Sequence, residues 1–394
     1  MRIAMISEHA SPLGAGGRHV HVADLSDALA DLGNDVHVYT RREDPDVAEV
    51  VITSSGVHVI HLTAGPARPI PSDLLLPYMG EFARLLGERW RNGWMPDVAH
   101  AHYWTSGLAA VTAAKRVGVP VVQSFHELGE NHREPIGQGP SRAEYERALG
   151  RAVDRVVARN QDEFRDLVRI GVPRANLTVV PSGVDSELFT PEGPAVQRDP
   201  ERPRILSVGR LVERKGFGDV VQAMRYVPNA EVVVVGGPPP EQLPADPGAR
   251  LLRSMAEQFQ VADRFRLVGA VSERDLPSWY RSADVLIGSP WEEQAALEAM
   301  ACGVPIIGAA EGTLTETVVD GLTGDLVPAR DPRALGGALR RLINDKVRRF
   351  TYATAAMDRA RQAYSWKRVA AQVGSVYASL RRTPVTADLA EEAV

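Results

Sequence analysis

Two arginines and a lysine crowd the segment Ser207-Val208-Gly209-Arg210-Leu211-Val212-Glu213-Arg214-Lys215-Gly216. Arg210 offers a planar fork of N–H donors, and Lys215, five residues on, a mobile point charge. Cations on a glycine-flanked loop that leaves an apolar run suit a diphosphate, where each charge-assisted hydrogen bond contributes on the order of 1.5 to 3 kcal/mol. A solvated basic turn is the alternative. A second segment, Glu298-Ala299-Met300-Ala301-Cys302-Gly303-Val304-Pro305, predicts a short helix of small residues opened by Glu298 and ended by Gly303. Its carboxylate can accept both hydroxyls of a ribose at a strand-end crevice. A favourable place on the helix dipole is the other reading of Glu298.

His100 and His102 share one face of a predicted strand by their spacing. Two histidines without a third ligand are better explained by packing at a strand end, and no metal is assigned. His126 stands just past the end of another predicted strand, where a lone histidine is more often structural than chemical. Glu127 follows it directly and orients the imidazole only if the chain turns there. Asp44-Pro45-Asp46 sits in a polar turn and reads as surface. Cys302 is the single cysteine, so no intramolecular disulfide and no cysteine-rich zinc site can form, which fits a reducing compartment.

These residues need elements to hold them. Short β-branched runs alternate with amphipathic stretches, the pattern of parallel sheets covered by helices on both faces. In the first half the predicted strands are 2–7, 35–40, 57–62, 98–102, 119–125, 155–158 and 177–180, with helical patterns at 19–32 and 73–91. A second series follows at 204–209, 231–235, 265–268, 285–288, 305–308 and 325–327. Between the two series, the stretch Thr190 to Arg204, with four prolines and little periodicity, marks a linker. The expected layout is therefore a first domain over 1–190, a linker over 191–203 and a second domain over 204–365. A helix at about 366–382 packs back on the first domain, and a frayed tail covers 383–394. Each domain is α/β, a Rossmann-like doubly wound parallel sheet, and open sheets of this kind bind ligands beyond the carboxyl ends of their strands.

At 394 residues the chain is long enough for two cores. With 44% hydrophobic and 24% charged residues it has the composition of a globular protein, and no apolar run is long enough to span a bilayer. The N-terminus reads as a buried first strand, so a cytoplasmic location is expected. A net charge of −5 gives no general attraction to nucleic acid. Arg84, Arg89 and Arg91 with Trp90 and Trp94 read as a solvated face over a packed one, and membrane contact is not expected. A homodimer is compatible with all of this.

Taken in order, several motifs resemble the large family of retaining GT-B glycosyltransferases known as family 4, or glycosyl transferases group 1. They are Gly16-Gly17, His100-Ala101-His102-Tyr103-Trp104, Ser124-Phe125-His126, Val180-Pro181-Ser182-Gly183-Val184-Asp185, the Gly-Arg…Lys-Gly loop, Glu298 to Pro305 and Asp320-Gly-Leu-Thr-Gly. The match runs across nearly the whole chain. It implies two Rossmann-like domains facing each other across a cleft, a nucleotide diphosphate sugar as donor, and no metal or other cofactor. Arg210 and Lys215 would hold the diphosphate and stabilise its departing charge. Glu298 would bind the ribose, and Gly16 and Gly17 would let backbone N–H groups approach the diphosphate. His126 would line the cleft beside sugar and acceptor. Leu314, in the loop Glu311-Gly312-Thr313-Leu314, and Val271, in the base-reading loop 268–272, complete the implied donor contacts.

The sequence also departs from the pattern. Members usually carry two glutamates separated by seven residues with a Phe-Gly between them, whereas Pro290-Trp291-Glu292-Glu293-Gln294-Ala295-Ala296-Leu297-Glu298 is shortened and has no Phe-Gly. Glu292 or Glu293 takes the sugar-binding place, and the sugar itself is left open. Glu311 would repel a diphosphate unless it points away. The implied reaction retains the anomeric configuration through a short-lived ion pair, with the leaving phosphate taking the acceptor's proton. The polar loop 127–145 suits a small hydrophilic acceptor such as an aminocyclitol, an inositol or a thiol metabolite. Rivals are an epimerase or phosphorylase on the same fold, and a nucleotide-binding module that has lost catalysis.

Overall fold

The computed structural model of the chain describes residues 1–14, 17–129, 141–289 and 293–380, with the backbone alone for 17–20. Gly16, Glu292 and most of the loop 127–145 lie outside the described residues, as does the tail 383–394. The chain divides into two compact units. One comprises Met1–Val180 and the chain from Ala370 onward; the other is Pro181–Val369.

The first unit is built on an eight-stranded sheet of β1 (Arg2–Ile6), β2 (Asp35–Arg41), β3 (Val50–Ile52), β4 (His58–Leu62), β5 (Val98–His102), β6 (Val121–Ser124), β7 (Arg155–Ala158) and β8 (Leu177–Val179). Their order is β3-β4-β2-β1-β5-β6-β7-β8. All neighbours are parallel except β3, which runs antiparallel on β4. The central strands are buried on both faces, which is why β1 reads as an unbroken apolar run. In β5, Val-Ala-His-Ala-His, that same position buries two histidines. Helices α1 (Gly17–Asp31), α2 (Met79–Asn92), α3 (Trp104–Ala114), α4 (Arg142–Ala152) and α5 (Gln161–Arg169) connect the strands. The predicted helix at 73–91 is two short 3₁₀ turns followed by α2, with Pro77 in the second turn before Met79 starts the regular helix. Trp90 is buried in this core, and Arg84 pairs with Glu88 at 2.7 Å on the solvent side.

The second unit has a six-stranded sheet of β9 (Arg204–Val208), β10 (Glu231–Val235), β11 (Phe265–Gly269), β12 (Val285–Gly288), β13 (Ile306–Ala309) and β14 (Gly324–Val327). The order is β11-β10-β9-β12-β13-β14, parallel throughout. Strand period shows directly in β10, where Val232 and Val234 join one core cluster while Val233 and Val235 join another on the opposite face. The helices are α6 (Phe217–Ala223), α7 (Pro247–Gln258), α8 (Leu276–Arg281), α9 (Glu293–Ala301), α10 (Leu314–Thr317), α11 (Pro332–Asn344), α12 (Lys346–Ala363) and α13 (Trp366–Leu380). Side chains of Asp246, Asp331 and Asp345 accept from the first-turn N–H groups of α7, α11 and α12 and stop those helices fraying.

Residues 191–203, read above as a linker, are bound to the second unit. The Arg281 guanidinium and Nε donate to the carbonyls of Thr190, Glu192 and Pro194 at 3.2, 3.0 and 2.8 Å, and the Val196 N–H donates to the Ser278 carbonyl at 3.0 Å. One distant arginine thus satisfies a proline-rich segment that composition alone marks as free. The chain passes from one unit to the other at Val180–Pro181 and returns within α13. Among the described residues no helix is long and apolar enough to cross a membrane.

Candidate active site

In the second unit, β9, β12 and β13 are successive neighbours, and their carboxyl ends deliver three loops to the same edge. After β9 the chain turns at Gly209, whose N–H donates to the Val235 carbonyl at 2.9 Å. Gly236 approaches so closely that a Cβ there would collide with the Gly209 carbonyl oxygen. Arg210 lies exposed on the turn. Glu213–Lys215 forms one 3₁₀ turn, and Gly216 leaves it at φ +73°, a left-handed conformation that glycine adopts without penalty, before α6 begins. Lys215, on this turn, is only 4% exposed.

Glu298 is corrected in one respect. It does not open its helix, because α9 begins five residues earlier at Glu293. The dipole position therefore belongs to Glu293, while Glu298 sits on the buried face, 8% exposed, where the Tyr280 hydroxyl donates to its Oε2 at 2.7 Å. Leu314 starts α10 after β13 and is fully buried, its methyl groups lying over Gly288 and Gly308. Val271 follows β11, at the far edge of the sheet, and packs against the buried cluster around Trp279 and Leu286.

In the first unit the carboxyl ends of β1, β5 and β6 gather a group of polar residues. Glu8, just past β1, is fully buried and accepts from the hydroxyls of Thr105 and Ser106 on the first turn of α3 and from His9 Nδ1 at 2.9 Å. Burial pushes its carboxyl up, but the charge on His9 and the hydrogen bonds from His9, Ser106 and Thr105 bring it below the usual value. Tyr103 and His126 both adopt left-handed backbone, at φ +69° and +63°, uncommon outside glycine. The Arg159 guanidinium, which donates to the His126 carbonyl, helps to hold that conformation.

His126 finds its partner in His102, not through a strand-adjacent pairing with Glu127: His102 Nδ1 and His126 Nε2 are 2.8 Å apart, so one of them donates. His21, on α1, packs edge-on to His126 with ring centroids 4.8 Å apart. Beside them His100 bonds Tyr377 Oη at 2.6 Å and Ser124 Oγ at 2.9 Å. Burial lowers His21 to about 3, aided by the charge of Arg159, and lowers His100 to about 3, aided by His21. His102 and His126 fall well below 6.5 for the same first reason, then through the neighbouring imidazoles. All four are neutral at pH 7 in the folded protein.

Two family profiles cover this chain, Glycosyltransferase Family 4 over residues 15–188 and Glycosyl transferases group 1 over residues 192–362. A D-inositol 3-phosphate glycosyltransferase of Xylanimonas cellulosilytica is 35% identical, with 97% of this chain and 98% of the relative covered. The chain belongs to the family 4 glycosyltransferases. A D-inositol 3-phosphate glycosyltransferase 2 of Catenulispora acidiphila is 32% identical over 95% of this glycosyltransferase and 94% of its own length. Among solved structures, a sucrose-phosphate synthase of Thermosynechococcus elongatus superposes with a TM-score of 0.81 at 28% identity, covering 96% of the transferase and 98% of the synthase.

Sequence reasoning passed over Glu8, Tyr280, Arg159 and His21 in the transferase. Glu8 carried a readable signal, an acid directly after an apolar strand. The other three act through contacts with residues 18 to more than 100 positions away, for which no local pattern exists.

Proposed function

We propose that this glycosyltransferase moves a sugar from a nucleotide diphosphate donor to a small polar acceptor of the inositol class, with retention at the anomeric carbon and no metal at the diphosphate. The observation that carries the reading is the β9–α6 loop, which places Arg210, exposed, and Lys215, buried, on one turn at the carboxyl end of a central parallel strand. Two fixed cations on one loop have the charge to hold a diphosphate and to stabilise the negative charge that grows as it leaves. Glu298, held by Tyr280 on the helix after the neighbouring strand, has the chemistry to accept the ribose hydroxyls. In the reaction the bond from the anomeric carbon to the diphosphate oxygen breaks while the acceptor oxygen bonds to the same face. The acceptor's proton passes to the leaving phosphate oxygen, and fixed cations stabilise the charge that develops there.

The inositol class stands first because both relatives above are named for D-inositol 3-phosphate. The structural relative is also named for a sugar phosphate. The test is release of nucleoside diphosphate from UDP-, GDP-, ADP- and dTDP-sugars, with inositol, D-inositol 3-phosphate, an aminocyclitol and a lipid as separate acceptors. One nucleotide should support turnover with a polar acceptor, unchanged by EDTA, and the product's anomeric coupling should match the donor's. Lys215→Ala should lower kcat/KM by about 10²- to 10³-fold with the melting temperature unchanged. Turnover with the lipid alone would overturn the acceptor class, and near-normal activity in Lys215→Ala would overturn the diphosphate assignment.

A further inference from the structure

Three histidines from three elements converge in the first unit. His21 projects from α1, His102 ends β5, and His126 follows β6 by two residues. One ring nitrogen from each lies within 4.8 Å of the others. The sequence shows only the pair His100 and His102, and that pair does not make the site: His100 is committed to Tyr377 and Ser124.

We propose that His21, His102 and His126 form a binding site for one borderline transition-metal ion, Zn²⁺ or Co²⁺, with the fourth position left to water or a ligand oxygen. Three observations support it. The donors are all imidazole nitrogens, which suit Zn²⁺, Co²⁺ and Ni²⁺ and offer nothing to Mg²⁺ or Ca²⁺. His102 is fully buried, yet its Nε2 has no hydrogen-bond partner among the described residues, a costly arrangement for a polar atom unless something binds it. The spacing is also within reach. Tetrahedral Zn–N bonds of about 2.0–2.1 Å hold their nitrogens roughly 3.3–3.4 Å apart, so no pair within the 4.8 Å bound has to close by more than about 1.5 Å. His21, half-buried on a helix, can supply that by side-chain rotation.

Arg159 works against the ion, since its guanidinium reaches the His126 carbonyl and its charge is felt at His21. The site is therefore expected to bind less tightly than a structural zinc site with charged thiolates. It is independent of the diphosphate chemistry assigned to Arg210 and Lys215 in the other unit. An ion here would tie the start of α1 to the ends of β5 and β6.

Untagged protein, stripped with a chelator and dialysed, is titrated with Zn²⁺ by calorimetry and with Co²⁺ by visible absorption. One equivalent should bind with a dissociation constant of roughly 10 µM or tighter, and cobalt should show the intense bands of a four-coordinate ion. His21→Ala and His102→Gln should each weaken binding by about 100-fold. His58→Ala should bind as wild type, because it removes a histidine from the other cluster, where His37 stacks on His58 and Trp94. If His102→Gln fails to fold by circular dichroism, His21→Ala still decides. No saturable binding below about 100 µM, binding that survives His21→Ala, or binding lost in His58→Ala would overturn the proposal.

Discussion

Tyr280 lies 18 residues before Glu298, on a different helix, and its hydroxyl is what fixes one carboxylate oxygen. A neutral hydrogen bond to a charged acceptor is worth about 1.5 to 3 kcal/mol, and part of that stabilisation goes into aim as well as stability. Tyr280→Phe should therefore raise KM for the nucleotide sugar by roughly 5- to 10-fold with kcat within about twofold, read by steady-state kinetics over a donor titration. An unchanged KM would remove Glu298 from the ribose role. At this scale, Arg210, Lys215 and Glu298 were singled out because charge beside glycine or small residues is a local pattern. Tyr280 was not, because nothing in its own neighbourhood distinguishes it from a core tyrosine.

Glu8 and Tyr377 act between elements. Glu8 joins the end of β1 to the first turn of α3 through Thr105 and Ser106, and Tyr377 joins α13 to β5 through His100. Glu8→Ala leaves those hydroxyls and His9 without their acceptor, which should cost about 2 to 3 kcal/mol in chemical denaturation, whereas Tyr377→Phe should cost about 1 kcal/mol. Equal costs would mean that the Glu8 carboxylate contributes no more than a neutral bond. Strands buried on both faces were read from their continuous apolar runs almost to the residue, as in Glu231–Val235 and Val285–Gly288. The edge strand β3 was missed, since its three residues leave Val50 and Ile52 exposed and carry no burial pattern to read. The start of α9 was misplaced because Gln294-Ala295-Ala296 continues the helix upstream without any capping signal that the sequence displays.

All ten histidines of the molecule lie between His9 and His132, within the stretch that forms the first unit. His21, His100, His102 and His126 are held neutral when folded but take up protons below about 6.5 when unfolded. Their folded values are depressed, so the associated stability is complete above the unfolded value and is lost as pH falls toward about 3 for His21 and His100. Below the unfolded value, each ring that stays neutral in the folded protein costs stability as pH falls. Calorimetry with a chelator present should show the first unit's transition falling steeply between pH 7 and pH 5, while the second unit's moves little. Two transitions that shift together would contradict this asymmetry. No composition average reveals it, because it depends on which sheet buries the rings.

The helix α13 begins in the second unit and ends in the first, where Tyr377 meets His100 and Met5. During synthesis β1 to β8 therefore leave the ribosome without the segment that closes over β1 and β5, and must wait for every residue of the second unit to be made. The unit translated first is the last to be completed.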